Sequence, residues 1–222
     1  MNNHHTPTRV WDLPTRVFHW TLAFSVICLI ITGFKGGDAM TWHFRFGYGV
    51  LTLLLFRLVW GIIGGKWSRF ASFLYAPSSI VRYFKGQGDP LHSVGHNPLG
   101  AFSVFAMLVL LLAQVGTGLI SDDEISAAGP LTKFVSNATV MLASGYHVTL
   151  GKVLVIVLIV THIAAILFYL LKKRENLIEP MLKGDKLLPT NTPASTDTAG
   201  TRALAAAILA VCGAAVYWLV SL

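Results

Sequence analysis

The chain has 222 residues, 54% of them hydrophobic and 12% charged, with a formal net charge of +7 and a mean hydropathy of +0.64. That balance excludes a water-soluble globular domain and points to lipid as the solvent. The basic residues cluster between apolar stretches, a pattern that sets membrane orientation and does not point to nucleic acid.

Crossing the hydrocarbon core takes roughly 20 apolar residues as helix. Five stretches meet that length or nearly so, at residues 17–34, 44–64, 99–120, 149–171 and 203–222. The expected fold is all-α: an integral membrane bundle with a four-helix core and a fifth, C-terminal transmembrane helix. No small-x-small cleavage pattern follows the first stretch, only Gly33-Phe34-Lys35 and Gly36-Gly37, so it reads as an uncleaved helix. Arg9 and Arg16 precede it; Lys66, Arg69, Arg82 and Lys85 follow the second helix; Lys172, Lys173, Arg174, Lys183 and Lys186 follow the fourth. The positive-inside rule places these on the cytoplasmic face, with the N-terminus inside and the C-terminus outside. The opposite connections carry Lys35, Asp38 and Arg45, then Asp122, Asp123 and Glu124 with Lys133.

Between the helices, residues 65–98 contain the breakers Pro77, Gly86, Gly88 and Pro90 and a short amphipathic helix over 78–84 at the lipid surface. Residues 121–148 are acidic at first and then allow a partial helix over 131–142, a candidate docking surface. Residues 184–202 have the Thr, Pro, Ser, Ala and Asp content of a linker, which would tether the fifth helix loosely. Ala205-Ala206-Ala207, Gly213, Ala214 and Ala215 on that helix allow close packing on a neighbour in this chain or in a second copy, a homo-oligomer. Trp11, Trp20, Trp42, Trp60 and Trp67 read as an interfacial aromatic belt. Cys28 and Cys212 lie in different apolar stretches, and no Cys-x-x-Cys-His is present, which excludes covalent c-type haem attachment.

Four of the eight histidines, His19, His43, His147 and His162, sit at or within the expected spans, where an ionisable side chain is costly without a partner. The topology puts His43 and His147 near the outer face and His19 near the inner one. His162 lies fifteen residues beyond His147, about 22 Å along a helix and only about 60° away in azimuth, which brings it to the depth of His19. Two depth-matched pairs result, His43 with His147 and His19 with His162. Facing imidazoles suit axial ligation of a haem iron within an apolar bundle. Gly47, Gly49 and Gly151 would permit close approach at the outer pair, and Arg16, Arg45, Arg57 and Lys152 are candidate propionate contacts. A metal transporter is the competing use of such histidines, but transport sites usually add carboxylates, and the five stretches hold none in their interiors. His92 and His96 read as interfacial or helix-entry residues, and His4 and His5 as a disordered terminus.

The segment Val10-Trp11-Asp12-Leu13-Pro14-Thr15-Arg16-Val17-Phe18-His19-Trp20 resembles the opening of the bacterial cytochrome b561 and nickel-iron hydrogenase b-type cytochrome superfamily. The resemblance continues through His43 with Gly47-Tyr48, Phe56-Arg57-Leu58-Val59-Trp60-Gly61, Gly95-His96-Asn97-Pro98-Leu99-Gly100, Tyr146-His147 and His162-Ile163-Ala164, covering about residues 9–183. It implies a dihaem membrane domain over residues 1–183, followed by the 184–202 linker and the 203–222 helix. It also implies that the membrane is the bacterial inner membrane and the outside the periplasm. The ligands of two non-covalent haems b would be His19, His43, His147 and His162. The step of fifteen residues between the last two is slightly longer than the family's usual spacing, and a π-bulge would absorb the excess.

The function this implies is electron transfer in a respiratory chain, between the quinone pool and a periplasmic partner such as a c-type cytochrome. His96, Asn97 and Arg57 are candidate quinone contacts. Alternatives are the membrane anchor of a larger oxidoreductase such as a hydrogenase, a superoxide or quinone oxidoreductase acting at the outer haem, and, outside redox chemistry, metal transport.

Overall fold

Runs of Leu, Val, Ile, Phe and Ala leave the backbone no hydrogen-bond partner but itself, and helix is the local solution in lipid. The computed structural model describes residues 5–87, 92, 94–125 and 127–222; Gly88, Pro90 and His4 lie outside these. Among the described residues, five helices are long and apolar enough to cross a membrane. They are α1 (Leu13–Lys35), α2 (Met40–Ile63), α4 (Pro98–Leu119), the continuous helix Asn137–Lys173, and α8 (Ala199–Val220). The amphipathic helix of the long connection is α3 (Pro77–Phe84).

The fourth span differs from expectation. Residues 131–142 do not form a separate surface helix: after a 3-10 turn at Thr132–Phe134, Ser136 caps a helix that runs on unbroken. It comprises α5 (Asn137–Gly145), a π-helical turn at Tyr146–Gly151, α6 (Lys152–Phe168) and a second π-helical turn at Tyr169–Lys173. Its 37 residues extend about 55 Å, well beyond a hydrocarbon core of about 30 Å. No proline interrupts residues 137–173, so nothing ends the helix at the membrane edge.

The chain forms two units, the first from residues 1–18, 57–105 and 161–207, the second from 19–56, 106–160 and 208–222. In the first unit, β1 (His5–Arg9) pairs antiparallel with β2 (Asp185–Pro189), His5 opposite Pro189 and Arg9 opposite Asp185. His5 is therefore part of a strand, not of a disordered end. Between α7 (Ile178–Lys183) and β2, Gly184 turns the chain at φ 95°. Its carbonyl accepts from Val10 N (2.9 Å) and Trp11 N (3.0 Å), and a Cβ there would lie 2.8 Å from Trp11 O, so only glycine fits.

At the centre of this unit lies Asp12, fully buried. Its carboxylate accepts from Thr15 N (2.8 Å), Trp60 Nε1 (3.2 Å), Gly65 N (3.1 Å) and Ser68 Oγ (2.8 Å). Arg57, 3% exposed, donates to Ser68 O at 3.0 Å and lies over the Phe70 ring, so a buried cation and a buried anion are joined through one serine. Trp11, Trp60 and Trp67 are buried here, whereas Trp20 and Trp42 are exposed as expected of belt residues. The three buried indoles differ because they have internal work: Trp60 serves Asp12, Trp67 Nε1 donates to Pro193 O (2.8 Å), and Trp11 and Trp67 pack with Val10, Val94 and Leu188.

The segment 184–202, linker-like in composition, is pinned at several points. Ser195 N donates to Arg9 O (2.7 Å), and its hydroxyl donates to Val10 O (2.7 Å) and accepts from Trp67 N (3.1 Å). Asp197 receives Arg9 Nη1 at 2.7 Å and Arg202 Nε at 2.8 Å, while Arg9 Nε also meets Asp185 at 2.6 Å. Composition reported small polar residues; these are the ones whose short side chains bond backbone groups locally.

The hydrogen bond from Arg202, joined by the charge of Arg9, holds the Asp197 carboxyl below its ordinary range. Its stabilisation is complete above the ordinary carboxylate value near 4 and is lost as the pH falls through the lower folded value. Asp197→Asn is expected to cost about 2 kcal/mol at pH 7. That gap should close as the pH drops below about 4, read as thermal unfolding in detergent; a gap constant with pH would exclude the ion pairs as its source. Asp12→Ala, which strips four donors and isolates Arg57, should cost about 3–5 kcal/mol in the same assay.

Candidate functional site

His43 and His147 meet in the second unit. Two glycines at positive φ, Gly36 (62°) and Gly37 (54°), reverse the chain tightly between α1 and α2, which brings His43, one turn into α2, against residues 29–33 of α1. His147 sits inside the π-helical turn Tyr146–Gly151, the place where the long His147–His162 step called for an extra residue. The ring centroids of the pair are 6.1 Å apart with planes at 84°.

Each ring is oriented by its Nδ1. His43 Nδ1 lies 3.1 Å from Leu29 O and 3.3 Å from Thr32 Oγ1, and His147 Nδ1 lies 2.8 Å from Gln114 O. A carbonyl can only accept, so each Nδ1 carries the proton and each Nε2 presents a lone pair. This is the arrangement that fixes a metal-binding imidazole. An ion about 2 Å from each Nε2 would separate the centroids by roughly 6 Å, the spacing observed.

The two cradles are built alike. On α1, Leu29 O also accepts from Thr32 Oγ1 (3.3 Å), and Gly33 follows; on α4, Gln114 O also accepts from Thr117 Oγ1 (3.0 Å), and Gly118 follows. A Cβ on Gly33 would stand 3.1 Å from His43 Cε1, and one on Gly118 would stand 2.8 Å from His147 Cε1. Carbonyl at i, threonine at i+3 and glycine at i+4 thus hold an imidazole on each helix. None of these residues was singled out from the sequence, although the repeated Thr-Gly at 32–33 and 117–118 and the lone amide of Gln114 in an apolar run were visible there. Of the glycines chosen for close approach, Gly47 lines the cavity described below, Gly49 faces open space, and Gly151 is packed by Gln114 and Tyr146.

Beside the rings is a cavity of about 250 Å³. Leu29, Ile30, Phe34, Phe44, Leu111, Val115, Val155 and Ile156 give it apolar walls, and Ser121, Asp122, Asp123, Ser144 and Lys152 give it a polar end. An apolar cavity beside paired imidazoles fits a flat apolar macrocycle, and Lys152 is the cation at its polar end that a carboxylate would meet. Of the candidate propionate contacts, Lys152 lines this cavity, its ammonium 5.2 Å from the centre of the Phe34 ring. Arg45 stacks on Trp42 at 4.9 Å, while Arg16, which donates to Leu182 O (2.6 Å), and Arg57 belong to the first unit. His19, edge-on to Trp20 at 5.0 Å, lies in the second unit and His162 in the first; both are half-buried. His96 packs between Trp11 (4.7 Å) and Phe73 (4.5 Å). Asn97 caps α4 by accepting from Gly100 N (2.8 Å) and donates to Tyr169 Oη (2.8 Å). Among the described residues no cluster of three or more His, Cys, Asp or Glu is placed to hold a metal ion, which leaves the metal-transport alternative without a polydentate site.

Five membrane-length helices and a pair of imidazoles with carbonyl-bound Nδ1 atoms define a membrane cytochrome as the class of protein. Residues 10–184 match the family described as prokaryotic cytochrome b561. The chain belongs to that family, and is a haem-binding b-type cytochrome of membrane electron transport. Similar proteins include the "Probable Ni/Fe-hydrogenase B-type cytochrome subunit" of Rhizobium leguminosarum bv. viciae, 26% identical over 215 residues, which span 80% of this chain and 88% of the relative. The protein of the same description from Rhodobacter capsulatus is 25% identical over 82% of each chain. The "Probable Ni/Fe-hydrogenase 1 B-type cytochrome subunit" of Escherichia coli K12 is 23% identical over 53% of this chain and 61% of its own. No solved structure matches the chain.

Gly118→Ala should push the His147 ring out of place and lower the haem-to-protein ratio of the purified protein severalfold. Gly116→Ala, two residues away on α4 with nothing within 4 Å of its Cβ, should leave that ratio unchanged. Equal haem content in both variants would refute the cradle.

Proposed function

We propose that the chain is a dihaem conduit carrying electrons between the quinone pool and a redox partner on the periplasmic side of a bacterial inner membrane. The observation that carries this reading is the His43–His147 pair, with both Nδ1 atoms bonded to carbonyls and centroids 6.1 Å apart. A bound haem b supplies a one-electron iron couple. If His43 and His147 both held its iron, no position would be left for a substrate, which favours electron transfer over chemistry at the metal. The second haem, on His19 and His162, rests on the residue pattern and the family resemblance, as do the N-in orientation and the quinone contacts His96, Asn97 and Arg57.

A more specific reading makes the chain the membrane anchor of a larger oxidoreductase, whose soluble subunit docks on the outer connections. The descriptions of the relatives, which name nickel-iron hydrogenases, favour it.

Both readings expect two low-spin haems b per chain in the reduced-minus-oxidised spectrum with pyridine-haemochrome quantification. His43→Ala and His147→Ala should each remove the same haem, and His19→Ala and His162→Ala the other. A colourless protein would overturn both readings, and one haem per chain would remove the inner pair. Co-purification of a soluble oxidoreductase subunit would select the anchor reading.

A further inference from the structure

The two imidazole cradles are equivalent in carbonyl, threonine and glycine but differ in the residue that carries the carbonyl. On α1 it is Leu29 and on α4 it is Gln114. Leucine is sufficient to present a backbone carbonyl, so the amide has another task. Its Nε2 donates at 3.0 Å to His147 O, so one residue grips His147 twice, at the ring through its backbone and at the main chain through its side chain. His43 has no counterpart of the second grip among the hydrogen bonds of Leu29.

The position of the grip is informative. His147 lies in the π-helical turn, where the regular i to i+4 ladder is interrupted and a carbonyl can take a side-chain donor. The amide fits there because residue 151 is glycine: a Cβ at Gly151 would run into Gln114 Oε1. That Oε1 atom is buried without a hydrogen-bond partner among the described residues. Stability alone does not favour such a group in the wall of an apolar cavity, since an unpaired buried acceptor offsets the bond its amide makes.

We propose that Gln114 is a positioning residue for His147, its side chain setting the plane of that imidazole through the π-helical backbone and so maintaining the near-perpendicular angle to His43. The proposal rests on the reading that these two histidines ligate one haem. Axial imidazole planes near perpendicular give a highly anisotropic low-spin ferric EPR signal, whereas parallel planes give an ordinary rhombic one.

The test is EPR and redox titration of the full-length haem-loaded protein, wild type against Gln114→Leu and Gly151→Ala. Gln114→Leu makes the two cradles alike, and Gly151→Ala displaces the amide while leaving it in the sequence. Both variants keep the Gln114 backbone carbonyl, so haem content should hold. In both, the anisotropic signal of the outer haem should move towards the rhombic type and its midpoint potential should shift, with the other haem unaffected. Wild-type EPR and potential in either variant that binds haem normally would overturn the proposal, even if its melting temperature fell. His147→Ala separates the two levels: if the outer signal survives that substitution, the ligation reading itself fails, independently of Gln114.

Discussion

Everything at the His43–His147 site depends on two ring N–H groups finding acceptors within an apolar wall. Within a helix every carbonyl is already engaged with an amide, but each oxygen keeps a second lone pair. Leu29 O and Gln114 O spend that capacity on a threonine hydroxyl and a histidine ring. To reach the carbonyl each ring comes close to the helix that carries it, so a Cβ at Gly118 would force the His147 ring to shift and one at Gly33 would crowd His43. Once the protons are fixed on Nδ1, each Nε2 keeps its lone pair, on two rings whose centroids are 6.1 Å apart. The protonation of the two rings is therefore decided by residues outside the pair, Leu29 and Gln114.

The first unit solves a related problem with charge. Asp12 collects four donors from three separate segments, and Gly65 is needed because a Cβ there would collide with the carboxylate. Arg57 interrupts an apolar helix, yet it is answered by a carbonyl, an aromatic face and, through Ser68, the same carboxylate. Leaving either ion alone would be far more costly than keeping both, so the pair persists as a structural clasp.

The sequence announced the spans and the histidines because both depend on strong one-dimensional signals, apolar length and the cost of ionisable groups in lipid. It did not announce Gly33 or Gly118, since a glycine's meaning lies in what approaches it from another helix. Trp11, Trp60 and Trp67 look the same in sequence as the exposed Trp20 and Trp42; the acceptor of the Trp67 indole, for one, lies 126 residues away. The strand pair and the anchored 184–202 segment were hidden for the same reason: Thr, Ser, Pro and Asp describe a loop equally well whether it is free or bonded to the opening residues. Asp12 carried a local signal, an acid just before a helix with proline in its first turn, but not the convergence of Trp60, Gly65 and Ser68.

The strand pairing has a consequence for how the molecule is made. Arg9 and Asp185 are separated by 176 positions, and synthesis at about 5–20 residues per second delays their meeting by roughly 10–35 s. Throughout that interval the opening strand, with its ladder hydrogen bonds unmade, waits outside the bilayer while four helices are inserted. Closure of the first unit therefore waits on the synthesis of residues 185–189, and a nascent chain stopped short of them would lack the partner of its first strand.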